Sequence, residues 1–200
     1  SFEKFPGVDP TLGPQMKSVG EVLALGRTFQ EALLKAVQSL ESGVDFLDGS
    51  GANRQPVEVP ELEKLRTPSA GRIFAVYRAL AQGVPMETLA ELTGFDSWFL
   101  GQMRETAVLE KEISAAVVQL SAGQCLPVDL LRRAKQAGFA DTHLARLCAR
   151  SAEDVRRMRL QAGVQATFLR VDTCAAEFAS QTPYLYSTYE DEDEAQPGEC

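Results

Sequence analysis

Between Ser69 and Gln161 the apolar residues return every three or four positions, in runs separated by Gly, Pro, Asp and Ser. That period predicts a series of helices. Ser69 is placed to cap a helix carrying Ile73, Phe74, Tyr77, Leu80 and Ala81, closed by Gly83. Pro85 suits a first helical position, Gly94 ends the helix it opens, and Asp96 caps the longest one. On that longest helix Phe99, Met103, Ala107, Ile113, Val117 and Leu120 lie near one stripe. Residues 127–137, 142–149 and 152–161 complete a set of about six helices, enough to enclose a core of their own.

Upstream the pattern changes. Pro6, Gly7, Pro10, Gly13 and Pro14 exclude a helix at the start. From Ser18 to Gly26, Val19, Glu21, Leu23 and Leu25 alternate with Val22 and Ala24, which predicts a short strand. Thr28 and Glu31 then form a capping box. Phe29, Leu33, Ala36, Val37 and Leu40 fall on one stripe of the helix it opens, and Gly43 closes it. This strand and helix have no surface of their own on which to bury that stripe, so they read as the edge of another domain. Val44 to Pro60, rich in Gly, Asp, Ser and Pro, reads as a domain boundary. The expected fold is therefore mainly α, a helical domain with a small N-terminal strand–helix appendage.

The helical block contains a faint copy of itself. Gly83-Val-Pro-Met-Glu-Thr-Leu89-Ala90-Glu-Leu92 aligns with Gly138-Phe-Ala-Asp-Thr-His-Leu144-Ala145-Arg-Leu147, and the match runs without a gap to Met103-Arg104 and Met158-Arg159. Each copy has an opening Gly, a Leu-Ala-x-Leu helix and a polar cap, Asp96 or Ser151, for a second helix. Two related helix pairs are expected. With helical caps and apolar stripes but little chemistry, the block reads as a packing or assembly module.

Charge narrows the choices. A formal net charge of −8 and a pI near 4.8 argue against a general nucleic-acid partner. No apolar run reaches the length of a membrane span, and no secretory pattern opens the chain. Cys125, Cys148, Cys174 and Cys200 are widely spaced, and with His143 alone beside them neither a zinc site nor a disulfide framework is expected. A reducing cytoplasm fits this cysteine usage. The first residue is Ser1, which reads as a fragment of something longer.

Several runs carry a resemblance. Gln15-Met-Lys-Ser-Val-Gly-Glu-Val-Leu-Ala-Leu-Gly-Arg-Thr-Phe-Gln-Glu-Ala resembles the large chains of carbamoyl-phosphate synthase. So do Glu3-Lys4-Phe5, Trp98-Phe99-Leu100, Gly138-Phe-Ala-Asp141, Arg170-Val-Asp-Thr-Cys-Ala-Ala-Glu-Phe178 and Tyr184-Leu-Tyr-Ser-Thr-Tyr189, in the family's order. The resemblance implies that residues 1–48 are the C-terminal edge of the first, carboxyphosphate-forming ATP-grasp module. Residues 49–162 would be the helical oligomerization domain, and 163–200 the connector to the second half with its acidic tail. It implies a parent ligase that makes carbamoyl phosphate from bicarbonate, ammonia taken from glutamine, and two ATP, for arginine and pyrimidine synthesis. ATP and Mg (or Mn) are implied for that parent, as are a glutaminase small chain and other large chains as partners. This piece is expected to be non-catalytic, with no metal or cofactor site; no Gly-rich cradle leads into a helix here. The alternative is a free-standing helical interaction protein.

Lys17, Ser18 and Glu21 sit within or beside the expected strand, where they either form a surface ion pair or support the reactive interior of the first module, as the resemblance implies. Residues 142–161 have a helix-turn-helix look, with Arg156, Arg157 and Arg159 facing a phosphate, but Glu153 and Asp154 oppose it. Cys174 with His143 as base lacks an orienting third group, so Cys174, beside Ala175, Ala176 and Phe178, reads as a buried small hydrophobe and His143 as a cap neighbour or surface residue. Trp98 and Phe99 read as core, and Glu190 to Glu194 as a solvated, disordered tail. Self-association is expected through apolar surface on the Ile73–Leu80 and Phe99–Leu120 helices.

Overall fold

The computed structural model describes residues 7–17, 22–40, 43–51, 58, 61–120, 124 and 126–195. Seven α-helices and one strand pair are present among them: α1 Phe29–Gln38, α2 Arg72–Ala81, α3 Met86–Thr93, α4 Ser97–Val118, α5 Val128–Gln136, α6 Asp141–Cys148, α7 Ala152–Gln161, β1 Thr167–Arg170 and β2 Leu185–Thr188. A 3-10 turn covers Leu62–Arg66. The mainly α class expected from the apolar spacing holds, and α2 to α7 make up the series of six. The chain divides into two compact units, one of residues 1–23 and 34–111, the other of residues 24–33 and 112–200.

In the first unit α2 and α3 pack on the 3-10 turn. Phe74, Val76, Tyr77, Leu80, Leu89, Leu100 and Met103 supply its buried apolar residues. Arg72 begins α2 and Gly71 occupies the cap position, so Ser69 is not the expected side-chain cap; its carbonyl accepts from the Arg72 amide within a turn instead. Pro85 likewise precedes α3, as its cap, with a non-helical ψ of 138°. Asp96 does cap α4, accepting from the Trp98 amide at 2.8 Å.

Two further expectations change in this unit. Val44, Phe46, Leu47, Asp48 and Ser50 are all buried, so residues 44–51 are not an open linker. Their polar groups are satisfied inside the turn: Asp48 accepts from both the amide and the hydroxyl of Ser50, and the Ser50 carbonyl accepts from the Asp45 and Phe46 amides. Trp98 and Phe99 are 55% and 44% exposed rather than core, their rings in edge contact at 5.0 Å.

The second unit holds α5, α6, α7 and the strand pair, with Leu131, Phe139, Leu144 and Val155 among its buried residues. The strands are antiparallel, with Thr167 opposite Thr188 and Arg170 opposite Leu185. Residues 22–26 are not in a strand; apolar alternation supplies one face, but a strand also needs a hydrogen-bonded neighbour. The helix start beside them is as expected, with one shift. Thr28 Oγ1 accepts from the Glu31 amide at 3.2 Å, while the Glu31 carboxylate reaches past Thr28 to the Arg27 amide at 2.7 Å.

Glu190 to Glu194 are placed against β1 rather than loose in solvent. The Glu194 amide donates to the Phe168 carbonyl at 2.8 Å, the Asp193 carboxylate accepts from the Phe168 amide, and the Glu194 carboxylate accepts from the Arg170 amide. The outward-facing amides of an edge strand need acceptors, and this acidic run provides them.

Candidate functional site

Lys17 lies in the first unit, where its ammonium donates to the Asp9 carbonyl at 3.0 Å and the Thr11 carbonyl at 2.6 Å. The Asp9 carboxylate accepts from the Thr11 amide at 2.9 Å, and that bond, with the Lys17 charge nearby, holds its carboxyl below the usual range. Among these contacts the lysine closes an exposed turn. Ser18 and Glu21 lie outside the described residues.

The most developed polar arrangement is one that sequence reasoning missed. On α5, Leu130, Leu131 and Ala134 are buried, and Lys135 is buried beside them at 5% exposure. Its ammonium donates to the Phe139 carbonyl at 2.7 Å and to Asp141 Oδ1 at 2.8 Å. Arg159, on α7, donates through Nε to Asp141 Oδ2 at 2.8 Å and Oδ1 at 3.1 Å, and through Nη1 to the Val164 carbonyl. Both cations face one ring. Lys135 Nζ lies 4.9 Å and Arg159 Cζ 5.7 Å from the centroid of Tyr189, just past β2.

Burial pushes the Lys135 ammonium below its ordinary pKa, against the pull of Asp141. Burial also works against the Asp141 carboxylate, but the bonds from Lys135 and Arg159 overcome it and hold the carboxyl below the usual value. The Tyr189 phenol is pushed up by burial. One carboxylate between two cations leaves this half-buried cluster a unit positive, which the ring face and two backbone carbonyls offset. The legible signals were a single Lys at a core-facing position of α5, and the Gly138-Phe-Ala-Asp141 and Tyr184–Tyr189 runs.

Other candidates resolve plainly. Arg159 points inward to Asp141 and Arg157 pairs with Asp154 on its own helix, which removes two of the three arginines from a phosphate-facing role. His143 is buried, contrary to the surface reading; its ring stacks on Phe139 at 4.6 Å and its Nε2 lies 3.2 Å from Arg146 Nη2. Cys174 is half-buried rather than buried, with Ala175, Ala176 and Phe178 exposed, because it sits in a surface turn where Asp172 accepts from the Cys174 and Ala176 amides at 2.8 and 2.7 Å. A cleft of about 430 Å³ in the second unit is lined by Arg27, Arg170, Tyr186, Asp172, Glu190, Asp191, Glu192 and Glu194, together with Leu169. Among the described residues no three His, Cys, Asp or Glu side chains are grouped to hold a metal ion, and no helix is long and apolar enough to cross a membrane.

In the first unit α4 leaves Trp98, Phe99 and Val108 exposed. The Ile73–Leu80 helix does not share this role: Phe74 to Tyr77, Ala79 and Leu80 are all buried, because α2 is enclosed by its own unit. A family model described as the carbamoyl-phosphate synthetase large chain, oligomerisation domain, matches residues 21–163. The chain belongs to this family. It is 42% identical over 195 residues to the carbamoyl phosphate synthase large chain of Archaeoglobus fulgidus, covering 98% of this chain and 18% of that one. It is 43% identical over 204 residues to the large chain, N-terminal section, of Methanopyrus kandleri, covering 97% of this chain and 36% of that one. The arginine-specific, chloroplastic large chain of Oryza sativa is also 43% identical, over 98% of this chain and 16% of its own length. The chain thus spans between a sixth and about a third of these relatives.

Proposed function

We propose that this chain is the oligomerisation segment of a carbamoyl-phosphate synthase large chain, non-catalytic in itself, with its ends belonging to the modules on either side. In that reading residues 1–48 are the edge of the carboxyphosphate module, 49–162 the oligomerisation domain and 163–200 the connector to the second half. The whole enzyme makes carbamoyl phosphate from bicarbonate, glutamine-derived ammonia and two ATP, with a glutaminase small chain as partner, in the cytoplasm. The observation that carries the reading is the family match over residues 21–163, which takes in the whole helical block. The likeness to an N-terminal section in Methanopyrus kandleri supports the placement in the first half.

Among the described residues, the cleft does not fit the triphosphate of the parent, and no three His, Cys, Asp or Glu side chains are grouped to hold its metal. A triphosphate needs a cradle of amides and cations, whereas the cleft sets five carboxylates, Asp172, Glu190, Asp191, Glu192 and Glu194, against Arg27 and Arg170. No catalytic step is assigned to this chain. By the same reading Lys17, Ser18 and Glu21 support the interior of the first module from behind.

Light scattering across a concentration series tests the assembly role. The expected result is a mass that rises toward a dimer, with Trp98→Ala/Phe99→Ala shifting the midpoint to higher concentration. A strictly monomeric mass at several hundred micromolar would overturn it. Calorimetric titration with magnesium and ATP is expected to be flat.

A further inference from the structure

The two copied helix pairs extend one helix further upstream than the letters reveal. α2 ends as α5 does: the Gly83 amide donates to the Leu80 carbonyl and the Val84 amide to Ala79, as Gly138 does to Lys135 and Phe139 to Ala134, all at 3.0 Å. Gly83 and Gly138 have φ of 91° and 93°, the left-handed turn that favours glycine. Ala79 and Ala134 are both fully buried, as are Leu89 and Leu144. The repeating unit is therefore three helices, α2–α3–α4 and α5–α6–α7.

Against that equivalence the ionic cluster stands out as an addition. Lys135 takes the place of Leu80, which is just as buried but apolar. Asp141 takes the place of Met86, and Arg159 that of Arg104, which is exposed. The fold of the unit evidently does not require a buried charge, because the first copy closes without one. What the second copy has, and what the cluster's cations face, is the ring of Tyr189 at the end of the strand pair.

We infer that Lys135, Asp141 and Arg159 form a clasp for Tyr189, a positioning residue that fixes the β1–β2 pair on the α5–α7 helices. Asp141 holds the two cations side by side through three hydrogen bonds, and the ring face receives both. Lys135 and Arg159 come from different helices, so the clasp is assembled only when α5, α6 and α7 are packed as observed. The position of the strand pair then reports the packing of those helices. The clasp stands on this geometry alone. Its use, setting the direction in which the chain leaves the helical block, rests on the connector reading above.

Hydrogen exchange of the 200-residue chain tests it with three variants. Lys135→Leu restores the residue of the first copy and is expected to leave α5–α7 protected while β1 and β2 exchange about tenfold faster or more. Tyr189→Leu is expected to do the same. Tyr189→Phe, which keeps the ring face and loses only the hydroxyl, is expected to stay near the parent rates. Unchanged strand protection in Lys135→Leu or Tyr189→Leu overturns the clasp. So does a loss of protection spread equally through α5–α7, or a Phe variant as loose as the Leu one. Self-association measured on the same samples is expected to be unaffected, which keeps a failure of the clasp separate from a failure of the assembly reading.

Discussion

The Tyr77 hydroxyl donates to Glu110 Oε2 at 2.5 Å, tying α2 to α4 across the first unit. Tyr77 is buried, so the bond to a charged acceptor is made where water competes poorly. Tyr77→Phe removes the donor without changing the ring. It is expected to cost about 1.5 kcal/mol, read as a lower urea midpoint with an unchanged slope.

Asp141 carries an acid dependence. Its folded pKa lies below the unfolded value of about 3.9, so its stabilisation is present above that value and is lost as pH falls through the folded one. Asp141→Asn leaves two cations without their common partner and is expected to cost about 3 kcal/mol at pH 7. At pH 3 the gap between the two proteins should narrow. Urea unfolding at both values, followed by circular dichroism, checks the sign.

Gly51 and Gly101 should respond in opposite directions to the same change. A Cβ at Gly51 would lie 2.0 Å from the Gly43 carbonyl oxygen, so Gly51→Ala must displace backbone and is expected to destabilise by about 1–3 kcal/mol. A Cβ at Gly101 meets nothing within 4 Å, and the residue sits inside α4. Gly101→Ala is expected to stabilise by about 0.5–1 kcal/mol, since alanine loses less chain freedom on entering a helix. Thermal melts of the pair side by side suffice.

Ser151 caps α7 by accepting from the Asp154 amide at 3.0 Å, while its hydroxyl donates to the Asp154 carboxylate. Ser151→Ala is expected to cost about 1 kcal/mol and Ser151→Asp to recover most of it. Amide exchange in residues 152–155 is the sensitive measure.

Much of this was readable in advance because the deciding physics is local. Asp96 and Ser151 cap helices through bonds spanning two or three residues, and Gly83, Gly94 and Gly138 end them through their own φ. The copied helix pairs were legible for the same reason. The pattern misleads where a hydrogen-bond partner decides, whether distant or within the same turn. Val22 to Gly26 alternate like a strand, but pairing depends on another segment. Val44 to Ser50 have linker composition yet close their polar groups on themselves, which permits burial. Glu190 to Glu194 look solvated because like charges in a row repel, and only the fold shows β1 amides waiting for two of those carboxylates. The Tyr189 cluster was least legible of all, since its four side chains come from three helices and the end of a strand.

The acidic run beside β1 also bears on how the molecule keeps to itself. A two-stranded sheet exposes open edges that can template addition of a strand from another molecule. Along β1, Asp193 and Glu194 occupy the Phe168 and Arg170 amides that an incoming strand would need. Their neighbours Glu190, Asp191 and Glu192 add a charge that repels any second copy of the same segment. The guard against sheet-mediated clumping is thus made of two carboxylates and of the Glu194 amide on the Phe168 carbonyl.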